Sequence, residues 1–249
     1  MFDWPQGVGR RVLASVDSTM AEGRRLAPSL AGPEWILAHE QTSGHGRRGR
    51  AWSSPKGNFF ASLVMRPTES PDKVALRSFV AALALRDALV AVTGREAGLA
   101  LKWPNDVLLN GGKVAGILLE SLGAGQGVSH LVIGIGVNLA AAPDARLLEQ
   151  GAVAPVSLQG ETGMRVAPDA FLDLLAPAYA RFETQFTTYG FAPIRTAWLA
   201  SAARLGETIT ARTMAETMTG RFETIDAAGN LILQTAKGQR VIPAADIFF

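Results

Sequence analysis

The sequence predicts an α+β fold, in which helices flank a mixed β-sheet and a small β-barrel follows at the carboxyl end. The segment from residue 71 to residue 94 is apolar on nearly all sides, as expected for a helix buried against a sheet. Several apolar segments follow one another between residues 99 and 138, which favours a sheet of successive strands over a doubly wound parallel fold. After residue 204 the chain changes to short β segments, typical of a small barrel.

The first elements are predicted from local signals. Residues 13–16 form an apolar strand, and Ser18 or Thr19 then caps a helix that runs to about residue 26, before Pro28. Strands at 35–38 and 58–66 enclose a glycine-rich loop. A serine, a proline and an aspartate at 70–72 begin the long apolar helix, and Gly94 ends it.

The later elements follow from the same rules. Strands are predicted at 99–103, 107–109, 114–120 and 131–138, and Asn110-Gly111 indicates a tight hairpin because both residues tolerate positive φ. A helix begins at Pro168 and should be kinked or split at Pro177. Another helix spans 193–204. The short strands are 208–212, 217–225, 231–234 and 240–243, with a turn at 226–230.

Composition limits the possible functions. The chain has 249 residues, 48% of them hydrophobic and 18% charged, enough for one large and one small domain, predicted at 1–203 and 204–249. It has no cysteine, which excludes disulfides and thiol nucleophiles. The three histidines, His39, His45 and His130, lack metal-ligand spacing, so no metal site is predicted.

Charge and hydropathy limit the partners. The formal net charge is only +2, and acidic and basic residues are spread along the chain, unlike the concentrated positive face of a nucleic-acid binder. The one dense basic cluster, Arg47-Arg48 with Arg50, lies in the glycine-rich loop, which favours a small anionic ligand. We expect no signal peptide and no membrane span, and therefore a cytoplasmic protein.

Three short motifs carry the chemistry. They are GHGRRGRAW at 44–52, KWPND at 102–106 and GKVAG at 112–116. Glycines let a backbone approach a ligand, arginine and lysine neutralise phosphate, and tryptophan offers a stacking face. Alternating glycines also allow backbone amides to form an anion-binding nest. Taken singly, each motif has a plainer interpretation: an exposed basic turn, a core tryptophan with a polar turn, and a solvated hairpin lysine.

The combination fits an enzyme that activates a carboxylate with ATP. Such a carboxylate must approach the α-phosphate, and two like charges about 4 Å apart repel by roughly 4 kcal/mol at an effective dielectric near 20. Fixed cations at the α-phosphate and a metal on the leaving pyrophosphate lower this barrier. Two nucleotide-binding motifs are absent. Residues 111–113 lack the full P-loop pattern, and residues 134–138 lack the third glycine of a dinucleotide fingerprint.

In this order the three motifs resemble those of the biotin protein ligases, which activate biotin with ATP and attach it to a lysine of a carrier protein. The resemblance implies a catalytic domain related to class II aminoacyl-tRNA synthetases, with a barrel resembling Src-homology-3 domains. It implies Lys113, Arg47 and Asp106 as catalytic residues, with Asp106 orienting or deprotonating the incoming amine. The implied biotin-binding residues are Ser18, Thr19, Gln41, Gly44, His45, Gly46, Arg47, Lys113 and Gly116. The implied nucleotide-binding residues are Arg48, Arg50, Trp52, Asn105, Lys113 and Asn138.

The resemblance also implies finer roles and two departures. Trp52 would pack on adenine, and Gly116 would keep the neighbouring wall of the pocket open. His45 stands where the family usually has arginine, and Met20 where many members have asparagine. The first change removes a fixed charge, and the second removes a polar contact near biotin.

The implied co-substrates are biotin and ATP with Mg²⁺, and the implied partner is a biotin carboxyl carrier protein domain of a carboxylase. The motifs begin about seventeen residues into the chain, so we expect a ligase without the DNA-binding domain that some members add. A monomer and a homodimer both stay open. Two rival functions also stay open: a lipoate or octanoate ligase, and a non-catalytic sensor of biotinyl-adenylate.

Overall fold

A computed structural model of the chain describes residues 3–123, 127–144 and 152–249. Within these ranges, seven strands form one sheet in the order β1-β2-β3-β7-β6-β5-β4, and only the β1–β2 pair is parallel. The strands are β1 Gly9–Leu13, β2 Glu34–Ala38, β3 Phe59–Met65, β4 Leu99–Lys102, β5 Asp106–Leu109, β6 Gly112–Leu122 and β7 His130–Val137. The predicted mixed sheet is therefore confirmed.

Helices cover both faces of this sheet. They are α1 Thr19–Leu26, α2 Pro71–Ala75, α3 Arg77–Thr93, α4 Leu158–Thr162, α5 Pro168–Tyr189 and α6 Phe191–Ala200. α3 and α5 pack on one face, and α1 packs on the other. Strand β2 shows the alternation that this requires: Trp35 belongs to the α3 side of the core and Ile36 to the α1 side.

Most predicted elements are confirmed, but α4 was not predicted, α6 ends at Ala200 rather than at residue 204, and three more elements of this part of the chain differ from expectation. The first strand lies at Gly9–Leu13, earlier than predicted, because β1 is an edge strand whose exposed arginines hide its periodicity; Arg11 Nε lies 2.7 Å from Glu34 Oε1. The long apolar helix is interrupted at Leu76, between α2 and α3. Pro177 was predicted to kink or split its helix, and the split is wrong: α5 continues through the proline, with buried residues on either side.

The hairpin prediction is confirmed in detail. Asn110 and Gly111 have φ of 50° and 83°, as a tight primed turn between β5 and β6 requires. A cis peptide bond joins Trp103 to Pro104 between β4 and β5. The hairpin pairs β5 with β6, and so it brings Asp106 and Lys113 together.

The C-terminal unit is an antiparallel sheet of five strands in the order β11-β10-β9-β8-β12. Its strands are β8 Thr208–Arg212, β9 Thr217–Ile225, β10 Leu231–Thr235, β11 Gly238–Ile242 and β12 Asp246–Phe248. The small β unit was predicted, but β12 was not. Over the described residues the sheet does not close into the predicted barrel, because β11 and β12 are its two free edges.

The C-terminal sheet is tied to the larger sheet near β4. Leu101 in β4 exchanges backbone hydrogen bonds with Ser201 and Ala203, in the segment that leads from α6 to β8, both at 2.8 Å. The Trp103 indole donates a buried hydrogen bond of 3.0 Å to the Gly229 carbonyl, in the turn between β9 and β10. Trp103 is therefore a core tryptophan in this structure, the plainer of its two interpretations, since its ring is buried between the two sheets.

Candidate active site

A cavity of about 710 Å³ opens where the two sheets meet. Its walls come from the start of α1, the glycine-rich loop, the β4–β5 turn, strands β6 and β7, and strand β12. The predicted site residues that line it are Ser18, Thr19, Gln41, His45, Gly46, Arg47, Arg50, Trp52, Asn105, Asp106, Lys113, Gly116 and Asn138. Gly44 and Arg48 do not line it. Three motifs that are distant in sequence thus meet at one cavity.

A neutral polar cluster forms one end of the cavity. The Gln41 side-chain oxygen accepts hydrogen bonds from the Thr19 backbone N–H at 2.9 Å and from the Thr19 hydroxyl at 3.2 Å. The Gln41 amide donates to Ser54 Oγ at 3.2 Å, and Ser62 Oγ donates to Thr19 Oγ1 at 2.9 Å. The cluster holds Gln41 and the start of α1 rigid, and Ser18 is buried beside them.

Gly44 lies behind this end rather than in the wall. A Cβ atom at Gly44 would lie 2.7 Å from Ser54 Oγ and 2.8 Å from Gln41 Nε2, closer than side chains approach. Glycine is therefore required here for packing against Gln41. Its implied contact with biotin stays a prediction.

The glycine-rich loop closes on itself. The Gly46 N–H donates to the Arg50 carbonyl at 2.7 Å, and the Trp52 N–H donates to the Gly44 carbonyl at 2.9 Å. The turn between them needs positive φ at Arg48 (57°) and Gly49 (70°), which glycine adopts at little cost. Because these amides bond within the loop, the amide nest predicted from the glycines is not formed at these positions.

Lys113 and Asp106 lie together on adjacent strands. Lys113 Nζ is 2.7 Å from Asp106 Oδ1, an ion pair without hydrogen-bond alignment. Lys102 Nζ lies 3.8 Å from the other oxygen, Asp106 Oδ2. Burial lowers the pKa of Lys102, although the Asp106 charge opposes the shift. Two ammonium groups therefore flank one carboxylate at the cavity wall.

Arg47 points its guanidinium toward the same place. Its Nη1 donates to Asn105 Oδ1 at 3.3 Å, and Asn105 Nδ2 donates to the Ile117 carbonyl at 2.5 Å. Burial lowers the pKa of Arg47, against the charges of Asp246 and Asp106, yet an arginine stays protonated in proteins. A fixed positive charge is thus anchored through Asn105 to β6.

The other two loop arginines point elsewhere. Arg48 Nη1 lies 2.7 Å and Arg50 Nη2 lies 3.0 Å from Asp246 Oδ2, in the last strand of the C-terminal sheet. Arg48 does not line the cavity, and its implied nucleotide contact stays a prediction. Arg50 lines the cavity while bonded to Asp246.

Trp52 covers the glycine wall. An added Cβ at Gly136 would lie 2.6 Å from Trp52 Cε2, and one at Gly116 would lie 3.1 Å from Trp52 Cζ3. Lys113 Nζ lies 5.6 Å from the centre of the Trp52 ring, a cation–π arrangement. Gly116 lines the cavity and also makes room for the indole, and its implied role beside the ligand stays a prediction. The indole N–H is buried and has no partner among the described residues.

The two predicted departures have clear surroundings. His45 Nε2 lies 3.4 Å from Glu120 Oε1, and Glu120 also pairs with Arg24. Met20 is buried against Gly134, where a Cβ would meet its sulfur at 2.5 Å. Asn138 is buried, and its Nδ2 donates to the Val156 carbonyl at 3.1 Å, so at least one of its side-chain groups has a structural task.

Sequence reasoning missed three charged residues of the wall, Lys102, Asp144 and Asp246. Lys102 opens the KWPND motif, and its position next to Trp103 could have suggested it. Asp246 had no signal, because its partners lie 196 and 198 residues earlier in the chain. Among the described residues, no group of three or more His, Asp or Glu side chains could hold a metal ion. No described helix is long and apolar enough to cross a membrane.

Comparison with known proteins agrees with this geometry. Residues 9–138 match the biotin/lipoate A/B protein ligase family, and residues 205–249 match the biotin protein ligase C-terminal domain. A biotin–[acetyl-CoA-carboxylase] ligase of Paracoccus denitrificans is 61% identical over 96% of this chain and 99% of its own. The bifunctional ligase/repressor BirA of Bacillus subtilis is 32% identical over 93% of this chain and 71% of its own.

Solved structures support the same assignment. The biotin protein ligase of Aquifex aeolicus, in complex with biotin and ATP, has a TM-score of 0.79 at 25% identity, covering 96% of this chain and 97% of that chain. The match extends over both sheets, so the whole described arrangement has a counterpart. By the family match, the relatives and the fold, this chain belongs to the biotin/lipoate A/B protein ligase family.

Proposed function

We propose that this chain is an ATP-dependent biotin protein ligase. It activates biotin to biotinyl-5′-AMP and then transfers biotin to a lysine of a biotin carboxyl carrier protein. The observation that carries the proposal is the convergence of Lys113, Arg47 and Lys102 on one cavity that also has a neutral polar end. Fixed cations suit a reacting phosphate, and the polar end suits an uncharged hydrogen-bonding ring.

The first half-reaction needs charge neutralisation. The biotin carboxylate attacks the α-phosphorus of ATP, a P–O bond forms, and the bond to the pyrophosphate breaks. Lys113 and Arg47 hold positive charge on two sides of the cavity, and both are anchored, by Asp106 and by Asn105. Because these cations are positioned before the substrates arrive, little reorganisation is needed as charge develops.

The second half-reaction releases AMP. The neutral carrier amine attacks the carbonyl carbon of the mixed anhydride, an amide bond forms, AMP leaves with the electron pair of the broken C–O bond, and the proton lost by the amine nitrogen passes to solvent. The Asp106 carboxylate is occupied by two cations, since it lies 2.7 Å from Lys113 Nζ and 3.8 Å from Lys102 Nζ. We therefore assign Asp106 the orienting role, holding Lys113 where the carboxylate of biotin meets the α-phosphate.

The neutral end is proposed as the site of the biotin ring. Gln41, Thr19 and Ser18 present hydroxyl and amide groups there, and an ureido ring both donates and accepts hydrogen bonds. A fatty acyl chain could make no hydrogen bond with these groups, whereas a ureido ring could. This favours biotin over lipoate or octanoate.

Several further points are proposed with the function. Mg²⁺ enters bound to the ATP phosphates, since two of the cavity carboxylates, Asp106 and Asp246, are already paired with cations. Trp52, Arg50 and Asn138 are the proposed nucleotide contacts. The domain boundary is proposed at residue 203, between α6 and the C-terminal sheet. A cytoplasmic location and a homodimer stay predictions.

The test is pyrophosphate exchange into ATP, measured on the purified protein without a carrier. Exchange that depends on biotin, and not on lipoate or octanoate, is expected. Exchange that depends on lipoate or octanoate would instead show that this acid, and not biotin, is the substrate. Tight biotin binding without any exchange would favour the sensor function over the ligase.

A further inference from the structure

The last strand of the C-terminal sheet brings one carboxylate to three arginines. Asp246 Oδ2 lies 2.7 Å from Arg48 Nη1, 3.0 Å from Arg50 Nη2 and 3.5 Å from Arg212 Nη2. Arg212 is its cross-strand neighbour in β8, whereas Arg48 and Arg50 belong to the glycine-rich loop. The first two contacts therefore tie that loop to a different part of the chain.

The environment of Asp246 suits an anchor. Its side chain is 14% exposed, whereas those of Arg48 and Arg50 are 42% and 56% exposed. Burial alone would raise the pKa of Asp246, but the Arg50 hydrogen bond and the arginine charges outweigh it and lower the pKa. The carboxylate is therefore held in its charged form, and hydrogen bonds between charged groups are stronger than neutral ones.

The tie also closes a boundary of the cavity. The loop contributes Gly46, Arg47 and Arg50 to the wall, and β12 contributes Asp246 and Phe248. Within the loop, Gly49 has a φ of 70°, and a Cβ there would meet nothing within 4 Å. The loop tip thus has free space around Gly49, and the arginine contacts with Asp246 join it to the C-terminal sheet.

We propose that Asp246 is a positioning residue that latches the glycine-rich loop through Arg48 and Arg50, and so retains the acyl-adenylate in the cavity. The proposal assigns different tasks to the loop arginines. Arg47 faces the reacting groups, whereas Arg48 and Arg50 hold the loop to the C-terminal sheet, and Arg50 also lines the cavity as a proposed nucleotide contact. It rests on the proposed function for the identity of the retained molecule, but not for the latch itself.

The first experiment measures the latch without any substrate. Trypsin cleavage after Arg50 is followed by mass spectrometry in the wild type and in Asp246→Asn, which keeps the shape and removes the charge. We expect cleavage at least about fivefold faster in Asp246→Asn, as loss of charge-assisted hydrogen bonds predicts, and wild-type cleavage in Asp246→Glu. Asp173→Asn is the matched control, because Asp173 pairs with Arg10 at 2.6 Å outside the cavity.

A substitution in the loop gives a second test of the latch, in case Asp246→Asn disturbs the folding of β12. Arg48→Gln removes a contact from an exposed position and should also speed cleavage after Arg50. Unchanged cleavage in both Asp246→Asn and Arg48→Gln, with unchanged thermal unfolding, would overturn the latch.

The second experiment measures retention of the product of the first half-reaction. In Asp246→Asn, labelled biotinyl-adenylate should leave the protein at least about fivefold faster, while its formation at saturating biotin and ATP changes by less than about threefold. Release of the adenylate that is no faster than in the wild type would overturn the retention role. So would a change of the same factor in the rates of its release and its formation. If the wild type forms no adenylate, the proposed function fails, and the cleavage experiment still decides the latch.

Discussion

Replacing Lys113 with glutamine should remove most of the adenylation activity. Lys113 Nζ lies at the cavity wall beside Asp106 and over the Trp52 ring. A unit charge about 4 Å from a phosphate contributes roughly 4 kcal/mol at an effective dielectric near 20. The measured loss from one missing charge-stabilising donor is about 3–4 kcal/mol, or two to three orders of magnitude in rate. We expect a loss of that size in biotin-dependent pyrophosphate exchange.

The loss should be specific to catalysis. Asp106 keeps Lys102 as a partner at 3.8 Å, so the free energy of unfolding should fall by no more than about 1–2 kcal/mol. Lys56→Gln is the matched control, since Lys56 also pairs with a carboxylate, Glu40 at 3.6 Å, but is 80% exposed. Exchange within about fivefold of the wild type in a folded Lys113→Gln variant would refute the charge argument.

Three further substitutions test other parts of the arrangement. Lys102→Met should raise the free energy of unfolding at pH 7, because burial lowers the pKa of Lys102 and makes its charged form less stable in the folded protein. In urea unfolding, this gain in stability over the wild type should disappear as the pH rises through the lowered pKa toward 10.5. Trp103→Phe should lower the free energy of unfolding by about 1–3 kcal/mol in the same assay, because the buried Gly229 carbonyl loses its hydrogen-bond donor. Pyrophosphate exchange should be unchanged, and a loss of exchange without destabilisation would show that Trp103 acts in the active site. Gln41→Leu leaves the Thr19 N–H without its acceptor and should raise the KM for biotin about tenfold or more, whereas an unchanged KM would place the biotin ring elsewhere.

The fold was predictable wherever a local rule decides the conformation. Asn110-Gly111 made a hairpin because few residue pairs tolerate positive φ at both positions. Gly94, with a φ of 69°, ended the long helix for the same reason. By contrast, Pro177 was overruled by tertiary packing, because the buried residues around it keep α5 helical through the proline. The closed barrel was also wrong, since closure depends on edge pairing that no short strand specifies alone.

The candidate site was predictable as a set of motifs, but not as a network of contacts. Lys113 and Asp106 occur in different motifs, and their 2.7 Å separation follows from the pairing of β5 with β6. Trp52 was expected to meet adenine, and the structure places it against Gly116 and Gly136. The sequence around Trp52 gave no sign of this packing, because the two glycines that make room for the ring lie in β6 and β7.

The arginines of the loop show why charge alone could not assign their roles. Arg47, Arg48 and Arg50 are indistinguishable as sequence, since each could neutralise a phosphate. Their directions differ because each has a different partner: Arg47 bonds Asn105, whereas Arg48 and Arg50 bond Asp246. Asn105 belongs to the motif that also supplies Asp106, so Arg47 is oriented by the reacting part of the molecule. Asp246 belongs to the C-terminal sheet, so the other two arginines couple the loop to that sheet. Because the loop forms part of the cavity wall, the C-terminal sheet thereby helps to position that wall.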